Sequence, residues 1–119
     1  MAIYRRCDAD PMSRKPLTAE QLRLIAERFK ALSEPSRLEI LTALRGGERT
    51  VSEILEATGL GQANVSKHLQ MLHAARFVDR RKDGVSIYYR LADQDVLRLC
   101  ELMCGRLEAE AHSKKQLFA

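Results

Sequence analysis

Tryptophan is absent, cysteine is scarce, and no long apolar run interrupts the 119 residues of this chain. Each absence excludes something. No apolar stretch approaches the roughly 18 residues of a membrane span, so no membrane partner is expected. The opening segment MAIYRRCDADPMSRK lacks the apolar centre of a secretory signal, and a cytoplasmic location is expected. The three cysteines, Cys7, Cys100 and Cys104, are an odd number, which argues against a structural disulfide framework. Metal binding, redox sensing or simple burial are left for them. C-x-x-C, G-x-S-x-G, a phosphate-cradling glycine loop and paired acids in an evident cleft are all missing. Neither an enzyme nor a small-molecule substrate is expected.

What is present is globular: 45% hydrophobic and 30% charged residues, without the charge excess and low hydrophobicity of disorder. The length is one domain's worth, with a core modest enough to need help from a second subunit. Net charge is +4, and its distribution is uneven. Residues 61–90 hold Lys67, Arg76, Arg80, Arg81, Lys82 and Arg90 against Asp79 and Asp83 alone, while the flanking segments nearly cancel. A localised basic block is the electrostatic footprint of a polyanion binder, although a solvated basic surface has the same composition.

Along the chain, residues 1–16 are polar and interrupted by Pro11 and Pro16, and read as a flexible N-terminal arm. Thr18 then caps a helix with Leu22, Ile25, Phe29 and Leu32 at helical spacing. Pro35 suits the first turn of a second helix, whose expected buried stripe is Leu38, Leu41 and Leu44. Gly46 and Gly47 end it. A third short helix opens on a Thr50–Glu53 capping box and closes at Gly59. A fourth starts at Gln62. Two short helices across so tight a glycine turn are the helix-turn-helix signature. The period then changes: FVDRRKDGVSIYYRL reads as a β-hairpin turning at Asp83-Gly84. A long amphipathic helix follows. The order predicts a mainly α fold with a β-hairpin wing, a winged helix-turn-helix over residues 17–112, and a C-terminal tail at 113–119.

On a helical wheel of about 100° per residue, the fourth helix splits. Val65, Leu69 and Leu72 share one face. Gln62, Ala63, Ser66, Lys67 and Gln70 share the other, which is small, polar and basic. Such a face enters a major groove, where Gln and Lys address base edges and Ser addresses bases or phosphates. His68 borders the apolar side, in a buried or phosphate-touching role. Arg80, Arg81 and Lys82 before the hairpin tip reach neighbouring phosphates or the minor groove. The candidate DNA-contacting set is therefore Gln62, Ala63, Ser66, Lys67, His68, Gln70, Arg80, Arg81 and Lys82. An ordinary amphipathic surface helix and a solvated hairpin tip are the plainer alternatives.

The segments ALSEPSRLEIL and TVSEILEATGLGQANVSKHLQMLHAARFVDRRKDGVSIYYRL, with the final helix, resemble the ArsR–SmtB family of bacterial repressors over residues 18–112. The resemblance implies a homodimer on palindromic double-stranded operator DNA, joined through the first and last helices, that lets go when an inducer binds. The family's sensing sites are only partly matched. The arsenite-type site needs cysteines on the helix before the turn, where Val51-Ser52-Glu53-Ile54-Leu55 stand. The zinc-type site needs an acid-x-His pair near the start of the last helix and His-x-x-His further on, and the helix offers Asp93 and Asp95 with His112 alone. The sulfide-sensing members carry a cysteine where Thr42 stands.

Cys100 and Cys104 lie four apart on the last helix, in a stripe with Val96, Met103, Leu107 and Ala111. One reading makes them small buried hydrophobes of a dimer seam. Another follows from geometry. Helix positions four apart hold their Cβ atoms roughly 5–6 Å apart, whereas a disulfide wants about 3.5–4.5 Å. Metal–sulfur bonds of about 2.3 Å bridge the wider gap. The pair suits a soft metal or metalloid: arsenite or antimonite first, cadmium or lead next. Cys7, on the arm, is the candidate third ligand, from the same or the partner subunit. The function read here is a homodimeric repressor released by a thiophilic ion at Cys100, Cys104 and Cys7. The alternative is a repressor of the same fold that senses oxidants or reactive sulfur with these thiols, Arg98 and Arg106 lowering a thiol pKa. Cys104, Glu108 and His112, at successive steps of four, form a further candidate line for a borderline metal such as zinc.

Overall fold

Local sequence chemistry sets the element boundaries. In the computed structural model, which describes residues 15–118 and side chains as far as Lys114, Thr18 is extended and opens helix α1 (Ala19–Leu32). Its hydroxyl accepts from the Gln21 amide at 3.1 Å while the Gln21 side chain accepts from the Thr18 amide at 2.8 Å, a reciprocal cap for two orphan donors. Glu34 is extended, as a residue before proline must be, and Pro35 is the first residue of α2 (Pro35–Ala43). A two-residue strand β1 (Arg49–Thr50) runs into α3 (Val51–Thr58), again with a reciprocal cap between Thr50 and Glu53. Gly59 closes α3 in the left-handed region (φ 72°), where a side chain would be strained. After Leu60 and Gly61 comes α4 (Gln62–Ala74).

Strands β2 (Val78–Asp83) and β3 (Ser86–Leu91) form the hairpin, and β1 pairs along the other edge of β3, giving an antiparallel sheet ordered β1-β3-β2. Asp83 pairs with Ser86, so the two loop residues are Gly84 and Val85. The expected turn at Asp83-Gly84 is thus displaced by one position. Gly84 has φ 62° and Val85 is not left-handed, so glycine takes the first central place that a two-residue turn of this hand demands. The last helix, α5, runs from Asp95 to Phe118 and continues through the segment expected as a tail. Asp93 accepts from the Asp95 amide at 2.8 Å to start it.

The core gathers one face from α2 to α5, β2 and β3: Ile40 and Leu41 of α2 with Leu44 at its cap, Ile54 of α3, Val65, Leu69 and Leu72 of α4, Val78, Tyr89 and Leu91 of the hairpin, and Val96 and Leu97 of α5. Ile40 joins the stripe expected for α2, and Leu38 sits at its margin. Helix α1 contributes little to this core. Leu22, Ile25 and Phe29 are exposed, and Ala31 is its single buried residue. From Glu101 to Lys114, α5 is exposed throughout, with Leu102 at 74% and Leu107 at 59%. Two amphipathic helices therefore present apolar faces that the described residues do not cover.

Candidate nucleic-acid interface and thiol helix

Helix α4 is held by one face and free on the other. Val65, Leu69 and Leu72 are fully buried. Gln62, Ala63, Ser66, Lys67 and Gln70 are all exposed, as the wheel predicts. No side chain caps the amino end of α4, where Gly61 is the cap residue, so its first amides stay open to an acceptor such as phosphate. His68 is half-buried, and its Nδ1 accepts from Arg37 Nε at 3.2 Å.

Helix α4 stops in an unusual way. The Phe77 amide donates to the Leu72 carbonyl and the Arg76 amide to the His73 carbonyl, both at 3.0 Å. This paired closure places Arg76 in the left-handed region, φ 66°, the one non-glycine residue so placed among those described. The position ordinarily falls to glycine. The closure turns the chain directly from the reading helix into β2.

Strand alternation sorts the wing cations. Arg81 points to the side where Glu48 lies, and donates to both Glu48 carboxylate oxygens at 2.8 and 2.7 Å. Its guanidinium also stacks over the Tyr88 ring at 4.4 Å and lies 3.6 Å from Asp83. The hydrogen bond from Arg81 holds the Glu48 carboxyl below its usual pKa, and the same bond raises that of Arg81. Among the described residues, Arg80 and Lys82 make no ion pair. The three-cation expectation is thus divided: Arg81 fastens the wing to the loop before β1, and Arg80 and Lys82 are the cations at liberty. Val85, at the tip, is fully solvent-exposed, a feature the charge-based reading of the hairpin missed.

The thiols of α5 differ from each other. Cys100 is half-buried, lining a shallow groove of about 390 Å³ with Phe29, Leu32, Leu99 and Met103. Cys104 is exposed, and its Sγ donates to Glu108 Oε1 at 3.6 Å. The Glu108 charge, with that hydrogen bond, pushes the Cys104 thiol above its ordinary pKa. The expectation that neighbouring arginines lower a thiol pKa is therefore corrected for Cys104: the acidic neighbour wins, and Arg98 lies 3.7 Å from Asp95 instead. Among the described residues, no three His, Cys, Asp or Glu side chains come together to hold one ion. This includes the Cys104, Glu108 and His112 line. Cys7 lies outside the described residues. The two α5 sulfurs thus have no third donor among the described residues. Thr42 turns its hydroxyl onto the Leu38 carbonyl at 2.9 Å, a helix-internal bond with no sensing chemistry.

Residues 34–80 match the family model described as "Bacterial regulatory protein, arsR family". A transcriptional repressor SmtB homolog of Synechocystis sp. is 34% identical over 92 residues, which is 77% of this chain and 70% of that protein. This chain belongs to the arsR family of bacterial regulators. Among solved structures, the crystal structure of the AntR antimony-specific transcriptional repressor matches with a TM-score of 0.72 at 34% identity, over 88% of this chain and 98% of that one. The homodimeric winged helix-turn-helix DNA-binding domain Mb0332 from Mycobacterium bovis matches with a TM-score of 0.67 at 37% identity, over 84% and 91%. The winged helix-turn-helix architecture is thereby the architecture of this arsR-family chain. The chain spans 65% and 35% of the lengths of the first two curated relatives it matches.

Proposed function

We propose that this arsR-family chain is a homodimeric transcriptional repressor that grips operator DNA through α4 and the wing, and releases it when a thiophilic metal or metalloid binds Cys100 and Cys104. The observation that carries the DNA half is the division of α4. Three fully buried side chains pin one face, and Gln62, Ala63, Ser66, Lys67 and Gln70 stand in solvent on the other. A helix so held offers a rigid polar edge to base pairs, while Arg80 and Lys82 supply phosphate contacts. The uncovered apolar faces of α1 and α5 support the dimer, since a second copy would cover both. The Mycobacterium bovis domain is itself homodimeric.

For the inducer, support comes from the two α5 thiols and from the likeness to an antimony-specific repressor. Soft thiolates favour soft acceptors, with arsenite and antimonite ahead of cadmium and lead. Cys7 supplies the third sulfur in this reading. The raised thiol pKa of Cys104 bears on ion binding and on the redox alternative alike, because both proceed through the thiolate.

Anisotropy on the chain's own promoter fragment across salt concentrations tests the DNA half. Lys82→Ala is expected to weaken binding on all sequences alike and to lower the salt slope by about one. Gln70→Ala is expected to relax sequence preference, at a cost of about 1–3 kcal/mol. Equal, salt-insensitive binding by wild type and both variants would contradict the reading.

A further inference from the structure

One side chain joins three helices. Arg37, on the first turn of α2, donates from its terminal nitrogen to the Ala31 carbonyl at 3.0 Å and approaches the Lys30 carbonyl at 3.4 Å. These belong to the last turn of α1, where the Lys30 carbonyl already accepts from the Ser33 amide and hydroxyl and Arg37 serves that of Ala31. The guanidinium charge also suits that negative end. Arg37 Nε points the other way and donates to His68 Nδ1 at 3.2 Å. A guanidinium only donates, so His68 Nδ1 must accept, and the neutral ring carries its proton on Nε2. Both side chains are half-buried, and no buried side-chain nitrogen or oxygen among the described residues lacks a partner.

We infer that Arg37 and His68 form a tether that sets the reading helix against the end of α1, and that His68 acts in DNA binding as a positioning residue through Nδ1. Helix α4 is otherwise held by the apolar packing of Val65, Leu69 and Leu72, a non-directional attraction to which a directional bond adds. That bond, halfway along the helix, helps fix its rotation, and with it the aim of Ser66, Lys67 and Gln70. The tether also gives α1, whose apolar face is uncovered among the described residues, a direct mechanical line to α4 that bypasses α5. A change at the α1 surface is thereby transmitted to the reading face.

The inference rests on the DNA-binding reading for its functional half, and on the free protein for its structural half. Asparagine places its oxygen where Nδ1 sits. Glutamine places its amide where Nε2 sits and leaves Nδ1 vacant. His68→Gln is expected to weaken operator binding about tenfold, the effect of losing one charge-assisted hydrogen bond, and Arg37→Gln at least as much, because it also gives up the carbonyls at the end of α1. His68→Asn is expected to recover most of that loss. The double variant Arg37→Gln/His68→Gln is expected to be no weaker than Arg37→Gln alone, since that change already removes the bond that His68→Gln removes. Thermal midpoints measured alongside separate this from general destabilisation. Nitrogen-15 shifts of the imidazole in the free, DNA-less protein are expected to show the Nε2–H tautomer, moving toward a mixture in Arg37→Gln. A His68→Gln variant that binds like wild type while His68→Asn fails would overturn the tether in favour of a direct Nε2 contact to phosphate. Additive losses, or no loss in any variant, would also overturn it. If wild type binds no DNA, the functional reading falls, and the tautomer measurement alone decides whether the tether exists.

Discussion

At the scale of single residues, the two α5 thiols are chemically unlike. Cys104 donates its proton toward Glu108, whose charge holds the thiol above its ordinary pKa. A metal ion must displace that proton, because the thiolate is the ligand. Ion binding that uses Cys104 should therefore strengthen as pH rises. Glu108→Gln removes the neighbouring charge, stabilises the thiolate and shifts the dependence to lower pH. Iodoacetamide alkylation of Cys104 against pH, with Cys7 and Cys100 replaced by serine, checks this: the Glu108→Gln midpoint should lie below that of the parent. A midpoint unmoved or raised would contradict the assignment. The spacing of the pair was legible in the sequence, but the sign of the shift was not. Arg98, Glu101, Arg106 and Glu108 all lie within a turn or so of the thiols, and only rotamers decide which one touches sulfur.

At the scale of elements, α3 and α4 were legible because their ends are written in local chemistry. Thr50, Glu53 and Gly59 act within a few residues of themselves, and Val65, Leu69 and Leu72 repeat at helical spacing. The junction after α4 was less so. Arg76 occupies a left-handed position with no glycine to announce it. An L-residue there costs about 1–2 kcal/mol, offset by the two backbone bonds that close the helix. Arg76→Gly should stabilise the protein by about 1 kcal/mol in chemical denaturation, whereas destabilisation would mean that the arginine side chain is itself holding the junction. The wing shows a second limit. Arg80, Arg81 and Lys82 read alike as a basic run, yet strand alternation sends the middle one to Glu48, thirty-three residues away in sequence. A contact of that range depends on tertiary placement of the loop after α2, which no local pattern encodes.

At the scale of the whole molecule, the apolar surface is what stands out. Phe29, Leu102, Met103 and Leu107 are each more than half exposed, and covering such side chains is worth about 1.5–3 kcal/mol apiece. The sequence showed these stripes as amphipathic helices, but periodicity cannot tell a face that meets its own core from one that meets a second copy. Leu102→Glu should yield a folded monomer in sedimentation, with unchanged helical content. Its operator affinity should fall on the order of a hundredfold, because two linked reading heads outbind one. A Leu102→Glu dimer of normal affinity would place the subunit interface elsewhere.

The central claim joins the two ends of the molecule: ions at the α5 thiols govern the grip of α4 on DNA. Its most direct measurement is fluorescence anisotropy of the reduced protein on its own promoter fragment, titrated in parallel with antimonite, arsenite, cadmium, lead and an organic persulfide. Wild type should release DNA with a thiophilic ion and rebind when a dithiol chelator is added, whereas Cys100→Ser should bind DNA normally and ignore the ion. Release by persulfide alone, or an undiminished ion response in Cys100→Ser, would contradict the account.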